Sequence, residues 1–382
     1  MKILVVGGGP SGSIASKKLA EYGFDVTLFE KEKIPRKKIC AGYVSERAIL
    51  LLEKNNIDCS ATLSEIRGFK IQCQSEELEL ESNHPSGNVY REEFDTLLCK
   101  SAAESGVEII DTNKLHNIKY NKKGYYVISD KLNDVFDIII GADGVNSTIR
   151  KILKIPYDKN KIGVCIQSEI NIDKSEIKKY DKNIYDICLN YGYGWIFPKK
   201  NGFTLNAGMW IPGEKAKKEK INLYREFKNF LNKNKIYPSE KPVGYILPYK
   251  GTVDKLGQGN VMLVGDAAGF VGLAGEGIPY AIESGLLSAE AVKTFYEDRG
   301  SLLEIYNDRN KDLLREINYY TNRLNTFLFN PFIMKKVIQM ANKDDYILSL
   351  MYDLVRRTVP YNEFMKTISY PRLFAAFLKS LI

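Results

Sequence analysis

Residues 2–30, KILVVGGGPSGSIASKKLAEYGFDVTLFE, decide the fold of this chain. Residues 3–6 are continuously apolar, which is typical of a strand that is covered on both faces of a parallel sheet. Gly7, Gly9 and Gly12 follow with the G-x-G-x-x-G spacing. The first glycine permits a tight turn, the second leaves room for a pyrophosphate, and the third lets the next helix pack closely. This stretch therefore predicts a strand and a turn that hold a dinucleotide.

The residues after the glycines predict the rest of one βαβ unit. Residues 11–22 have helical spacing, and the N-terminus of that helix would point the positive end of its dipole at the phosphates. A second strand, residues 26–29, ends at Glu30, whose carboxylate can accept both hydroxyls of an adenosine ribose. The cofactor-binding residues predicted in this unit are Gly7, Gly9, Pro10, Ser11, Gly12, Glu30 and Lys31.

Two later stretches repeat the order of apolar strand, turn and helix start. Residues 135–140 lead into the turn GADGVNSTIR, residues 141–150, and residues 260–265 lead into a glycine-rich loop. A carboxylate at such a turn can hold a polyol hydroxyl, and a helix N-terminus aimed at a flavin ring would stabilise negative charge on that ring. The predicted cofactor contacts in these stretches are Asp143, Gly144, Gly265, Asp266, Gly275, Gly277 and Ile278.

Two further segments, which lie between the first and second turns in the sequence, are predicted to contact the cofactor. The basic loop of residues 31–43 closes on Cys40, Ala41 and Gly42, close to the end of the second strand. Cys40 would either approach the reactive ring of the cofactor or serve as a small buried filler, and the sequence leaves both interpretations open. Arg91 begins a predicted helix, where a cation is disfavoured unless an anion offsets the cost. A cofactor phosphate is one such anion, and a solvated arginine is the alternative.

Residues 161–250 are rich in Ile, Tyr and Phe and contain no glycine fingerprint. They predict an inserted antiparallel sheet that forms the floor of a substrate site. Strand alternation in the stretch NYGYGWIFP, residues 190–198, would place its aromatic side chains on one face, either as a sheet core or as an apolar wall. The glycines between the aromatic residues favour the close approach of a flat ligand. The predicted substrate-binding residues are Tyr191, Tyr193, Trp195, Phe197 and Pro198.

The composition excludes several classes of protein. The chain has 382 residues, of which 44% are hydrophobic and 27% charged, as in an ordinary globular protein of two or three units. No apolar run approaches the roughly 20 residues that a membrane-spanning helix needs, and no signal peptide is recognised. The six cysteines form no C-x-x-C pair and only two histidines are present, so we expect no metal site and a reducing, cytoplasmic setting.

The net charge of +8 is concentrated near the C-terminus. Residues 321–382 contain nine Lys or Arg against four Asp or Glu, a difference of five. We find no nucleic-acid motif, so this charge indicates either solubility or contact with anionic lipid. The apolar and basic helical pattern from residue 301 onward fits a peripheral contact with the inner face of the cell membrane, and a cap packed on the core is the alternative.

These patterns predict an α/β protein of composite organisation. A discontinuous Rossmann-type dinucleotide domain is expected at residues 1–60, 90–158 and 255–300, and an antiparallel substrate domain at residues 61–89 and 159–254. Residues 301–382 are expected to form a helical region.

Four motifs together resemble the single-FAD oxidoreductases of the para-hydroxybenzoate hydroxylase fold. They are the G-x-G-x-x-G with Glu30, Arg91-x-x-Phe94-Asp95, residues 141–150, and the GDAAG of residues 265–269. Within that group, residues 191–198 (Y-x-Y-x-W-x-F-P) are similar to the P-x-x-Y-x-W-x-F-P signature of geranylgeranyl reductases, although Asn190 takes the place of the proline. The stretches KICAG at 38–42 and GLAGEGI at 272–278 resemble the flavin loops of the same family.

The resemblance implies that FAD is the cofactor and that the reaction saturates isolated C=C bonds in a polyprenyl chain, typically on an archaeal ether lipid, chlorophyll or a quinone. It places Cys40, Tyr193 and Trp195 at the catalytic centre, while the proton donor stays unassigned. No second G-x-G-x-x-G opens a βαβ unit, so the electron donor is expected to be external: NAD(P)H, a ferredoxin or a reduced deazaflavin.

Three alternatives remain open at this point. The same fold also serves aromatic hydroxylases, in which reduced flavin reacts with oxygen. The halogenase signature W-x-W-x-I-P is replaced here by GWIFP, residues 194–198, which disfavours that class. A lipid carrier that holds FAD without turnover is the third.

Overall fold

The computed structural model describes residues 1–82, 85–173, 175–189, 192–238, 240–356 and 359–380. In chain order, its strands are β1 (Lys2–Val6), β2 (Asp25–Phe29), β3 (Tyr43–Val44), β4 (Ser64–Glu65), β5 (Gly68–Cys73), β6 (Glu76–Glu81), β7 (Gly87–Asn88), β8 (Glu108–Ile110), β9 (Leu115–Asn121), β10 (Gly124–Ser129), β11 (Asp134–Phe136), β12 (Ile138–Gly141), β13 (Ile162–Asn171), β14 (Asn183–Leu189), β15 (Gly192–Pro198), β16 (Thr204–Pro212), β17 (Val243–Pro248), β18 (Gly257–Gln258) and β19 (Val261–Leu263). Its helices are α1 (Pro10–Glu21), α2 (Glu46–Glu53), α3 (Arg91–Glu104), α4 (Thr148–Ile152), α5 (Gly213–Lys218), α6 (Leu223–Lys233), α7 (Ile278–Asp298), α8 (Leu302–Arg309), α9 (Lys311–Arg315), α10 (Asn322–Leu328), α11 (Pro331–Ala341), α12 (Asp345–Arg356), α13 (Tyr361–Thr367) and α14 (Tyr370–Ser380).

The first sheet has the order β18-β19-β12-β1-β2-β8, and β1 lies between β12 and β2 in parallel register. Residues 3–5 of β1 are completely buried, as the apolar run predicts for a central parallel strand. α1 packs between β1 and α7, so the predicted βαβ unit with its Rossmann topology is confirmed. Because α1 begins directly after the glycine turn, its N-terminus faces the carboxyl end of β1, where ligands bind in open α/β sheets.

Residues 135–140, which the sequence pattern assigns to one strand, are divided between β11 and β12. The backbone N–H of Asp137 bonds instead to the carbonyl of Lys2, which separates the two pieces. β11 turns away into a small sheet of order β11-β10-β9, while β12 continues in the parallel sheet.

The second sheet has the order β17-β13-β16-β15-β14-β5-β6. Its neighbours are antiparallel as predicted, except that β14 and β5 run parallel. The chain leaves β6 at residue 81 and returns to this sheet at β13 only after building much of the first sheet, and such a long crossover permits parallel pairing.

Helices cover both faces of the second sheet. On one face, α6 contributes Phe227 and Phe230 to a core shared with β13, β15 and β16. On the other face, α10 to α14 pack against the strand aromatics, with Met334 and Ile338 among the buried contacts. The C-terminal helices from α10 onward therefore form a cap on the second sheet, while α8 and α9 pack in the core of the first sheet. A cap packed on the core was one of the two alternatives for this region.

Two features of the whole chain complete the fold. Among the described residues, no helix is both long and apolar enough to cross a membrane. Cys73 is disulfide-bonded, whereas Cys40, Cys59, Cys99 and Cys165 are free thiols. The bond at Cys73 was not expected from the cysteine spacing, because that spacing carries no information about strands that meet only in the folded sheet.

Candidate active site between the two sheets

One cleft of about 740 Å³ runs from the carboxyl end of β1 to the aromatic face of the second sheet. Most residues that the sequence predicts for cofactor or substrate binding line it. They are Gly7, Gly9, Pro10, Ser11, Glu30, Lys31, Cys40, Ala41, Gly42, Arg91, Asp143, Gly144, Tyr193, Trp195, Phe197, Asp266, Gly275, Gly277 and Ile278.

Three of the predicted residues take other positions. A Cβ at Gly12 would lie 1.9 Å from the Gly7 carbonyl oxygen, so Gly12 serves the packing of α1 on β1. Gly265 has φ +55° and packs against Ser11, which holds the third turn beside the first. The Pro198 carbonyl accepts a bond of 2.9 Å from Asn88 Nδ2. Tyr191 lies outside the described residues.

The carboxylate of Glu30 is buried beside the first glycine turn. It accepts hydrogen bonds from the backbone N–H of Gly8 at 3.0 Å and of Glu32 at 3.1 Å. Arg36 Nε donates a third bond to it at 2.9 Å, and Arg36 Nη1 lies 3.2 Å from Asp95 Oδ2. Arg36 was not predicted, because the only signal for it in the sequence is the basic character of the loop 31–43. A guanidinium at this turn is suited to a phosphate.

The anion that offsets Arg91 at the start of α3 is Asp95. The guanidinium makes two hydrogen bonds to this carboxylate, Nε to Oδ1 at 2.8 Å and Nη2 to Oδ2 at 2.9 Å. Burial opposes the charged form of Arg91, but the Asp95 carboxylate holds the pKa of Arg91 above its usual value. Arg91 also lines the cleft, so its guanidinium faces the cavity while it is paired with Asp95.

The second turn places Asp143 in the lining of the cleft. Asp143 Oδ2 accepts hydrogen bonds from the backbone N–H groups of Thr148 at 2.6 Å and Ile149 at 3.1 Å at the start of α4. Burial raises the pKa of this carboxyl, while hydrogen bonds from the Ser147 side chain and from these N–H groups oppose the rise.

The third turn connects the cofactor end of the cleft to the aromatic end. Tyr193 Oη donates a hydrogen bond of 2.5 Å to the carbonyl of Ala274, which has φ +53° in the glycine-rich loop. Gly275 follows with φ +78°, and a Cβ there would lie 2.6 Å from Leu247 of β17. This loop leads into the N-terminus of α7, so the positive end of the α7 dipole lies within reach of the cleft.

The aromatic end is built around Tyr193. Its ring stacks on Phe329 of the C-terminal cap, with ring centroids 5.8 Å apart and planes at 6°. The rings of Trp195 and Trp210 lie 5.8 and 5.7 Å away. Trp195 Nε1 donates to Asn206 Oδ1 at 2.8 Å, which fixes the indole over Gly208, where a Cβ would lie 2.1 Å from that ring.

Cys40 lines the cleft between these two ends. It is half-buried, and the backbone N–H of Gly42 donates to its Sγ at 3.3 Å. Lys38 contacts the hydroxyl of Tyr245, a β17 residue that also lines the cleft. Tyr245 was not predicted, because its place in the cleft depends on pairing across the second sheet. The cap residue Phe329 was not predicted, because its contact with Tyr193 depends on the docking of the cap.

The residues present fit FAD. The first turn is open above Gly9, where a Cβ would meet only Arg36 Nη2 at 3.6 Å, and the carboxyl groups of Glu30 and Asp143 both belong to residues that line the cleft. Buried acidic and basic groups therefore lie where a ribose and a pyrophosphate would be expected.

Comparison with known proteins agrees with this fit. Residues 1–316 match the family model described as FAD binding domain. The digeranylgeranylglycerophospholipid reductase of Methanosarcina acetivorans is 31% identical over 338 residues, which cover 78% of this chain and 79% of that protein. The chloroplastic geranylgeranyl diphosphate reductase of Oryza sativa subsp. japonica is 26% identical, over 95% of this chain and 83% of that protein.

A solved structure shares the fold over nearly the whole chain. The geranylgeranyl bacteriochlorophyll reductase-like protein of Thermoplasma acidophilum superposes with a TM-score of 0.80 at 22% identity, covering 99% of this chain and 98% of that one. Fold and family match together define an FAD-dependent oxidoreductase, and FAD is its cofactor. Within that class, the chain belongs to the geranylgeranyl reductase family.

Proposed function

We propose that this protein saturates isolated C=C bonds of a geranylgeranyl-type polyprenyl chain, carried most favourably by an isoprenoid ether lipid. The observation that carries the proposal is the continuity of the cleft, in which the cofactor turns and the aromatic face of Tyr193, Trp195 and Phe197 line one cavity. The names of two relatives support the same substrate class, since both name a geranylgeranyl chain, carried by a glycerophospholipid in one and by a diphosphate in the other.

The roles of the chain's residues follow from their positions. Glu30 and Asp143 would hold cofactor hydroxyls, Arg36 and Arg91 would face its phosphates, and the N-terminus of α7 would face its ring. When bound and reduced, FAD supplies a hydride equivalent to an alkene carbon. An unactivated alkene is a poor acceptor, so orientation and exclusion of water must lower much of the barrier.

The aromatic end of the cleft performs that orientation. Tyr193, Trp195 and Phe197 form an apolar wall, and Phe329 of the C-terminal cap supports it by stacking on Tyr193. Cys40 lies between this wall and the cofactor turns, so we assign Cys40, Tyr193 and Trp195 to the catalytic centre. The electron donor is proposed to be external, of the NAD(P)H, ferredoxin or reduced deazaflavin class.

A peripheral contact with an anionic membrane is the second part of the proposal. Phe327 and Phe332, near the turn between α10 and α11, are 55% and 75% exposed, and Lys335 and Lys336 follow on α11. Phe329 of the same turn stacks on Tyr193, so one ring contact connects this turn to a residue that lines the proposed polyprenyl slot. Replacing Phe327 and Phe332 by Ser should reduce sedimentation with anionic vesicles, whereas Tyr224→Ser on α6 should not. Equal sedimentation of both variants would contradict the membrane contact.

Lipid mass spectrometry tests the proposed reaction. The protein, reduced under anaerobic conditions, is incubated with a digeranylgeranyl glycerophospholipid, and each product should gain hydrogen atoms in pairs. Products that gain oxygen, and only in air, would favour the hydroxylase alternative. A flavin that is reduced but never leads to a changed lipid would favour the carrier.

A further inference from the structure

Lys199 is a buried amine to which the proposed reaction gives no role. It follows directly after the aromatic strand β15 and is 3% exposed. Its Nζ donates hydrogen bonds to the carbonyls of Ala41 at 2.7 Å and Val89 at 2.8 Å. The ring of Tyr90 lies 5.5 Å away. Lys199 therefore joins the Cys40–Gly42 loop to the segment just before α3.

The loop is shaped to fit this amine. Gly42 has φ +86°, and a Cβ on it would lie 2.7 Å from Lys199 Nζ and 2.3 Å from the carbonyl oxygen of Val89. The backbone N–H of Val89 also donates to the Gly42 carbonyl at 2.9 Å. One side of the Cys40–Gly42 loop lines the cleft. On the opposite side, the Ala41 carbonyl accepts the hydrogen bond from Lys199, which fixes the position of the loop. Lys199 itself does not line the cleft, so its charge lies one layer behind the loop.

Within the described part of the chain, Lys199 Nζ has no carboxylate at ion-pair distance, and its hydrogen-bond partners are the two carbonyl oxygens. Cys40 and Glu169 favour its charged form at longer range, and the Arg91 guanidinium opposes it. Burial lowers the pKa of the Lys199 ammonium to about 8, since it lacks an ion-pair partner that would offset the loss of water. An additional negative charge on the cavity side of the loop would stabilise the ammonium, and by the same interaction the ammonium would stabilise that negative charge.

We propose that Lys199 is a positioning residue that clamps the Cys40–Gly42 loop against the flavin and whose positive charge favours the reduced state of bound FAD. The proposal rests on FAD as the cofactor and on the loop lying beside the ring; it does not depend on the identity of the polyprenyl substrate. In the redox step, two electrons pass from an added reductant such as dithionite to FAD, the proton taken up comes from water, and Lys199 keeps its own proton.

The midpoint potential of bound FAD, measured by titration against a redox dye without any lipid, tests this role. Lys199→Gln keeps a donor for the loop carbonyls but removes the charge, whereas Lys199→Arg keeps the charge. At pH 7, Lys199→Gln should weaken the binding of reduced relative to oxidised FAD about tenfold, which lowers a two-electron potential by about 30 mV. Lys199→Arg and the exposed neighbour variant Lys200→Met should stay close to the wild type.

The pH dependence separates the charge from a merely structural role. The difference between wild type and Lys199→Gln should be largest below pH 8 and should shrink as the pH rises beyond it, because the wild-type amine then loses its proton. Equal potentials of wild type and Lys199→Gln at pH 7, or a difference independent of pH, would overturn the proposal. If Lys199→Gln does not fold, Lys199→Met and the pH profile of the wild-type potential provide the same test. A shifted potential in a protein that leaves lipids unchanged would support the role of Lys199 and contradict the reductase function.

Discussion

The two ends of the cleft are built in different ways. The cofactor end consists of backbone turns, and each turn lies within a short stretch of sequence such as residues 2–30 or 141–150. The aromatic end consists of side chains from β13, β14, β15 and β17, which are far apart in the chain, and Trp210 of β16 and Phe329 of the cap pack on Tyr193 of that end. The first end is therefore encoded locally and the second only by the assembled sheet, so substitutions should affect cofactor binding and substrate orientation separately.

The largest effect is expected from Gly12→Val at the cofactor end. The new side chain would collide with the Gly7 carbonyl oxygen, and since this oxygen belongs to the backbone of the turn that follows β1, α1 must move. We expect a loss of about 3 kcal/mol in the free energy of unfolding, together with loss of bound FAD. Chemical denaturation and the flavin absorption of the purified protein measure both.

Gly9→Ala is the matched control for this substitution. Its Cβ would meet only the end of Arg36, so the protein should keep its stability while FAD binds more weakly. Equal destabilisation by the two variants would show that the first turn is not divided into a packing glycine and a ligand-facing glycine.

Glu30→Gln should have the next largest effect, which is a weaker binding of FAD. The substitution removes the negative charge that faces Arg36 and the ribose position. Loss of charge-assisted hydrogen bonds of about 1.5 to 3 kcal/mol corresponds to a roughly 10- to 100-fold weaker affinity for FAD. Fluorescence titration of the apoprotein with FAD measures it, and Glu93→Gln, an exposed carboxylate of α3 away from the cleft, should bind normally. An unchanged affinity in Glu30→Gln would remove Glu30 from the site.

Phe329→Ala tests the aromatic end. The substitution removes the ring that stacks on Tyr193, so we expect FAD to bind normally while the KM for the polyprenyl substrate rises about tenfold. The lost packing should also lower the free energy of unfolding by about 2 kcal/mol. Steady-state kinetics with a detergent-solubilised substrate measures the first effect, with Tyr224→Ala on the far face of the sheet as control. A loss of FAD from Phe329→Ala would contradict the division of the cleft into two ends.

The smallest effect is expected from Asp143→Asn. It is a change in the stability of the apoprotein that depends on pH. Because burial raises the pKa of Asp143, its contribution to stability is present at low pH and is lost as the pH rises through that raised pKa. The apoprotein of the variant should therefore be slightly more stable than wild type at neutral pH and no more stable in acid. Thermal unfolding at the two pH values measures this. A variant that is less stable than wild type at neutral pH would contradict the account.

The difference between the two ends also explains how far the sequence predicts this protein. The strand, glycines, helix and Glu30 of residues 2–30 were predictable because their interactions are local. Arg36 was missed because its partners, Glu30 and Asp95, lie on two different elements. Trp210 and Phe329 were missed because their contacts with Tyr193 arise from strand pairing and from the docking of the cap. The parallel pairing of β14 with β5 has the same origin.

The central claim is that one cleft holds both FAD and the polyprenyl chain. Anaerobic mixing of the reduced protein with a digeranylgeranyl lipid tests it most directly, with the absorption of bound flavin followed in time. The account predicts that the oxidised flavin spectrum returns, with one pair of hydrogen atoms added to the lipid for each flavin oxidised. Reduced flavin that persists unchanged in the presence of the lipid, in a protein that binds FAD fully, would contradict it.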